Sequence, residues 1–111
     1  MHPEIRHRYE ERARFLKALS HPTRLFIVDE LTRGKRCVHE LTAAIGDDIS
    51  TVSKHLSILR SIGIVRDERC GNMVYYALRT TCIVPFFSCI ESMRNDIACR
   101  SCLPETVEER G

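Results

Sequence analysis

The stretch Asp48-Ile-Ser-Thr-Val-Ser-Lys-His-Leu-Ser-Ile-Leu-Arg-Ser-Ile62 constrains this chain more than any other. Ile49, Val52, Leu56, Leu59 and Ile62 recur at the i, i+3, i+7 spacing of a helix with one core-facing stripe. The other side carries Ser50, Ser53, Lys54, Ser57 and Ser61, with Thr51 and His55 at its margins. No acid follows Asp48 within the stretch. A surface helix that needs only solubility mixes both signs of charge. Short hydroxyls and cations suit phosphates and base edges instead. Asp48 fits the N-cap, where a carboxylate accepts from the first free backbone N–H groups. Alone, the pattern also describes an amphipathic helix with a serine-rich solvated face, so the flanking chain must decide between the two.

Upstream, Val38, Leu41 and Ile45 predict a short helix over Val38–Ile45, and Gly46-Asp47-Asp48 makes a tight turn into the stretch above. Helix, short turn, second helix with a polar outer face is the helix-turn-helix layout, whose second helix enters the major groove. Further upstream, Ile5, Tyr9, Ala13, Leu16 and Leu19, with Phe15 beside them, predict a helix from Ile5 to Ser20. Pro22 ends it and can open the next helix at its first turn. That helix, Thr23 to about Thr32, reads as buried through Leu25, Phe26, Ile27, Val28 and Leu31.

After Gly63 the period changes. Ile64–Arg69 and Asn72–Leu78 are two strand-like runs around Cys70-Gly71-Asn72, a β-hairpin. A hairpin just after a recognition helix is the wing of a winged helix, and Arg66 and Arg69 place cations on it. From about Cys82 to Ala98, Ile83, Phe86, Phe87, Ile90, Met93 and Ile97 predict a last helix, with Pro85 in its first turn. The expected fold is thus mainly α with a small β-hairpin between the fourth and fifth helices. Residues 1–98 form the expected domain, and 99–111 a cysteine-containing flexible tail.

With a net charge of only +2, nucleic-acid affinity must come from a local basic face rather than from bulk charge. No run reaches membrane-spanning length and the N-terminus lacks a signal peptide's apolar core, so a cytoplasmic protein is expected. In that compartment six cysteines point to metal binding or thiol chemistry rather than a disulfide framework. Nothing in the chain offers a phosphate loop, a paired-carboxylate site or a nucleophile with a base and orienter, so an enzyme is not expected.

Three linked segments carry a family resemblance: Ala18-Leu-Ser-His-Pro-Thr-Arg-Leu25, Val38-His-Glu-Leu41 with Ser50-Thr-Val-Ser-Lys-His-Leu56, and Gly71-Asn-Met-Val-Tyr-Tyr-Ala-Leu78. In order and spacing they resemble an ArsR/SmtB-type winged helix-turn-helix repressor over roughly residues 5–98. The resemblance implies a homodimer paired through the first and last helices, bound to double-stranded operator DNA. It also implies release when a soft metal ion, metalloid or oxidant reaches the cysteines. Where the family often has a glutamine after the N-cap of the recognition helix, this chain has Ile49, which cannot make a bidentate contact to adenine. Ser50, Thr51, Ser53, Lys54, His55 and Ser57, with Arg66 and Arg69, are the DNA-contact candidates.

Arsenic- and cadmium-sensing members resemble Cys-Val-Cys-Asp-Leu at the start of the short helix. Here the stretch is Cys37-Val-His39-Glu-Leu41, which keeps half of that site. Cys82 matches the first zinc ligand of zinc-sensing members, but Met93 and Asp96 fall near the later ones, a poor zinc set. Cys82 and Cys89 share a face but stand roughly 10 Å apart along a straight helix. Cys99-Arg-Ser-Cys102 is the pair whose spacing chelates directly. The candidate metal ligands are therefore Cys82, Cys89, Cys99 and Cys102, with Cys37 a weaker one and Cys70 incidental. Thiolates with no nearby histidine favour arsenite or antimonite, with cadmium or lead possible, as an inducer rather than a folding requirement. Two rival readings keep the DNA module: a redox or persulfide sensor using a cysteine pair, and a structural zinc or iron–sulfur site.

Overall fold

The computed structural model describes residues 1–95. It divides ahead of the last helix into a compact unit, Met1–Thr80, and a second unit that begins at Thr81.

In the first unit, α1 (Pro3–Leu19) and α2 (Pro22–Leu31) are separated by the Ser20-His21 break that Pro22 enforces. His21 caps α2 by accepting the Thr23 N–H on its Nδ1 at 3.1 Å. A two-residue strand β1 (Arg36–Cys37) leads directly into α3 (Val38–Ile45), and α4 (Ile49–Ser61) follows. The hairpin is β2 (Val65–Cys70) and β3 (Met73–Leu78). Cys70 pairs with Met73, leaving a two-residue loop in which Gly71 takes φ +63°, as a hairpin turn that follows the strand twist requires.

The hairpin of the sequence reading is one strand short of the observed sheet. β1 adds to β3 antiparallel, with Arg36 opposite Tyr76 and Cys37 opposite Tyr75, so the strand order is β1-β3-β2. Two residues are too few to show a period of two, which is why this strand leaves no trace in the pattern.

The core of this unit is built by Leu19 of α1, Ile27, Val28 and Leu31 of α2, Leu41 of α3, Val52, Leu56 and Leu59 of α4, and Ile64, Val65 and Ala77 of the wing. Each large apolar side chain fully withdrawn from water contributes about 1.5–3 kcal/mol. Because α4 packs against α1, α2, α3 and β2, its orientation is fixed from several sides. Leu25 and Phe26, expected in the core, remain 39% and 38% exposed. A ten-residue helix laid on α4 and β3 buries one face, and Ile27, Val28 and Leu31 occupy it. The stripe of α4 likewise starts at Val52, since Ile49 in the first turn is 43% exposed. Along α1, Ile5, Tyr9, Phe15 and Leu16 are exposed.

In the second unit, α5 spans Ile83–Asn95, with Pro85 in the first turn where its missing N–H costs nothing. Val84, Phe86, Ile90 and Met93 are exposed along it. The expected extension to Ala98, and the tail, lie outside the described residues.

Candidate nucleic-acid interface

Two glycine- and acid-based devices set the entry to α4. Gly46 ends α3 in the left-handed region, φ +83°, and donates its N–H to the Thr42 carbonyl at 2.9 Å. Asp48 then caps α4: its Oδ1 accepts the Thr51 N–H at 2.8 Å and the Ser50 hydroxyl at 3.0 Å. The bonds from Thr51 and Ser50 hold the Asp48 carboxyl below its ordinary pKa, with a smaller contribution from the Lys54 charge. At the start of α3 the Cys37 N–H donates to Glu40 Oε1 at 2.9 Å, and this bond first, then the thiol and the Arg36 charge, lowers the Glu40 pKa.

Ser50, Ser53, Lys54 and Ser57 are exposed and, at i, i+3, i+4 and i+7, lie along one face of α4. They span about 10 Å of helix length. The side chains of Ser53, Lys54 and Ser57 make no hydrogen bond or ion pair among the described residues. Thr51 is half-buried at the margin. His55 stands apart from this group. It is half-buried, its Nδ1 accepts from Arg24 Nε at 3.1 Å, and its ring lies 4.5 Å from that of His21 between centroids. The sequence offers no sign of this pairing, because the partners are far apart along the chain.

On the wing, Arg66 and Arg69 are both exposed. Strand alternation places them on opposite faces of β2. Arg66 approaches Glu68 at 3.8 Å, and Glu68 also receives Lys35 Nζ at 3.2 Å. Arg69 has no ion-pair partner among the described residues. Arg60, near the end of α4, reaches Asp67 of β2 at 2.9 Å and ties helix to wing. These exposed pairs add at most about 1 kcal/mol each, but they set which cations are already partnered.

Cys37 is 4% exposed, held as the cap of α3 and as a strand residue. Cys70, Cys82 and Cys89 are exposed. No cluster of three His, Cys, Asp or Glu side chains suited to a metal ion occurs among the described residues. Cys99 and Cys102 lie outside them.

Five helices with a hairpin wing between the fourth and fifth, completed by a short strand ahead of α3, define a winged helix-turn-helix domain. The family described as "Bacterial regulatory protein, arsR family" matches residues 21–67. The transcriptional repressor SmtB of Mycobacterium tuberculosis is 46% identical over 63 residues, 57% of this chain and 47% of its own. The matched segment spans about half the length of the curated SmtB relatives, 52% for the Synechocystis homologue. The crystal structure of the transcriptional repressor BigR from Xylella fastidiosa superposes with a TM-score of 0.70 at 34% identity, covering 84% of this chain and 96% of that one. A homodimeric winged helix-turn-helix DNA-binding domain from Mycobacterium bovis, Mb0332, superposes with a TM-score of 0.76 at 27% identity, covering 90% and 93%. The chain belongs to the ArsR family.

Proposed function

We propose that the protein is a dimeric transcriptional repressor, not an enzyme. It sits on double-stranded operator DNA with α4 in the major groove and leaves when a thiophilic metalloid or metal binds its cysteine thiolates. The observation that carries the DNA half is the acid-free outer face of α4, where Lys54 is exposed, without an ion pair among the described residues, and flanked by the hydroxyls of Ser53 and Ser57. Ser50, Thr51, Ser53, Lys54 and Ser57 are the contacts to bases and backbone, and Arg66 and Arg69 the wing contacts to phosphate or the minor groove. His55 stands outside this contact set, since it is half-buried and Arg24 occupies its Nδ1.

Dimer formation is supported by the exposed apolar residues of α1 and α5 and by the homodimeric domain similar to this chain. A two-fold pair would space two copies of α4 for half-sites about one DNA turn apart. The protein acts in the cytoplasm, and among the described residues no helix is long and apolar enough to cross a membrane.

Cys82, Cys89, Cys99 and Cys102 are the proposed inducer ligands, with Cys37 disfavoured by its burial. Soft thiolates favour arsenite or antimonite over harder ions. The inducer shifts the operator equilibrium only by its differential affinity for the two states, and about 1–3 kcal/mol suffices. Exposure of Cys82 and Cys89 equally favours a second reading, in which an oxidant or polysulfide joins two thiols and releases the DNA. Fluorescence anisotropy of an operator complex, titrated with arsenite, antimonite, cadmium, lead and hydrogen peroxide, separates the readings. Ser replacement of each of the four cysteines should spare DNA binding and abolish the response for at least one. Four variants that all respond like the parent would rule out this ligand set.

A further inference from the structure

One guanidinium joins three helices at the root of the recognition helix. Arg24 of α2 donates through Nη1 to the Ala18 carbonyl at the end of α1, 3.1 Å, and through Nε to His55 Nδ1 of α4, 3.1 Å. An arginine side chain can only donate, so the second bond exists only while Nδ1 keeps its lone pair, with the ring neutral and its proton on Nε2. Arg24 and His55 are both part-buried here, and the His21 ring lies tilted against the imidazole with centroids 4.5 Å apart.

We propose that the Arg24–His55 bond is a latch that holds α4 in its DNA-reading pose, Arg24 and His55 acting as positioning residues rather than contacts. This rests on the DNA-binding reading above. Protonating Nδ1 removes the acceptor and sets an imidazolium against the Arg24 guanidinium and beside His21. The groups facing His55 are Arg24 and His21 of α2 and its cap, and Asp47 of the α3–α4 turn, which alone opposes the other two. Burial first, then His21 and Arg24, hold the His55 pKa below its ordinary 6.5. The latch is whole above about pH 6.5 and is lost as the pH falls through the lower folded value.

Operator affinity should therefore weaken on acidification. A histidine that touches phosphate acts the other way, because its added positive charge strengthens the hold. The test uses the full chain and a duplex that the wild-type protein selects from a random-sequence library at about pH 7.5. Affinity is then measured at constant ionic strength down to about pH 5.5. The wild type should lose affinity roughly fivefold to tenfold. His55→Asn, whose Oδ1 stands where Nδ1 stood but takes no proton, should bind like the wild type at the upper pH and stay flat. Parallel losses in both proteins, or wild-type affinity that holds or rises as the pH falls, would overturn the latch. A protein that selects no duplex at all would sink the DNA-binding reading itself. Should His55→Asn fold poorly, the imidazole nitrogen shifts of the wild type decide: an unprotonated Nδ1 at neutral pH supports the latch, and a protonated one overturns it.

Discussion

Replacing Lys54 by Ala isolates the charge that the outer face of α4 presents. Other cations near the same surface are already partnered: Arg60 with Asp67 at 2.9 Å, Lys35 with Glu68 at 3.2 Å, and Arg66 with the same Glu68 at 3.8 Å. Among the described residues Lys54 has no ion-pair partner, only the weaker pull of the Asp48 charge, so a phosphate contact from it should register clearly. Each neutralised phosphate adds about 0.9 to the slope of log affinity against log salt, so a dimer losing both copies of Lys54 should flatten by roughly 1.8. Over a roughly fourfold rise in salt, the advantage of wild type over variant then shrinks about twelvefold. Fluorescence anisotropy on one operator duplex across a salt series measures this directly. Arg60→Ala is the matched control from the same helix and should keep a near wild-type slope. An unchanged slope in Lys54→Ala, or equal flattening in Arg60→Ala, would show that the serine-lined face does not meet the duplex.

Leu56 is 0% exposed in the middle of α4, and Leu56→Ala should cost about 2–5 kcal/mol in urea unfolding at fixed protein concentration; a loss below about 1 kcal/mol would contradict the packing described. Glu40 and Asp48 both titrate below their ordinary values of 4.5 and 3.8, so their stabilising contribution is complete above those values and is lost as the pH falls through the lower folded ones. Melting temperatures from about pH 5 to pH 2 should therefore drop more steeply for wild type than for Glu40→Gln with Asp48→Asn, and parallel curves would refute the capping assignment.

Much of the fold was legible because its signals are local. α3 has the predicted bounds, Val38–Ile45, since a capping position and a terminal glycine bracket its apolar triplet. Asp48 caps α4 as expected, and Gly71 turns the hairpin. What escaped is tertiary. Strand β1 exists only because β3 lies beside it. Leu25, Phe26 and Ile49 carry the residue type of a core, but exposure depends on which neighbour reaches them. His55 sits at the margin of the polar face by spacing, yet Arg24 captures it, and no helical period encodes a hydrogen bond across the fold. The cysteine set was legible only as chemistry, because two of its four favoured members lie past Asn95.

Cys37 has two neighbours that matter mechanically: as a strand residue it lies opposite Tyr75, and as a cap it begins α3. The inner strand of the wing is thereby stapled to the helix that leads into α4, while Arg60 and Asp67 close the circuit on the other flank. The gap between probing helix and wing is consequently a fixed gauge. A signal arriving from elsewhere in the molecule cannot widen it cheaply, and can instead swing each head bodily into or out of step with the pitch of a duplex.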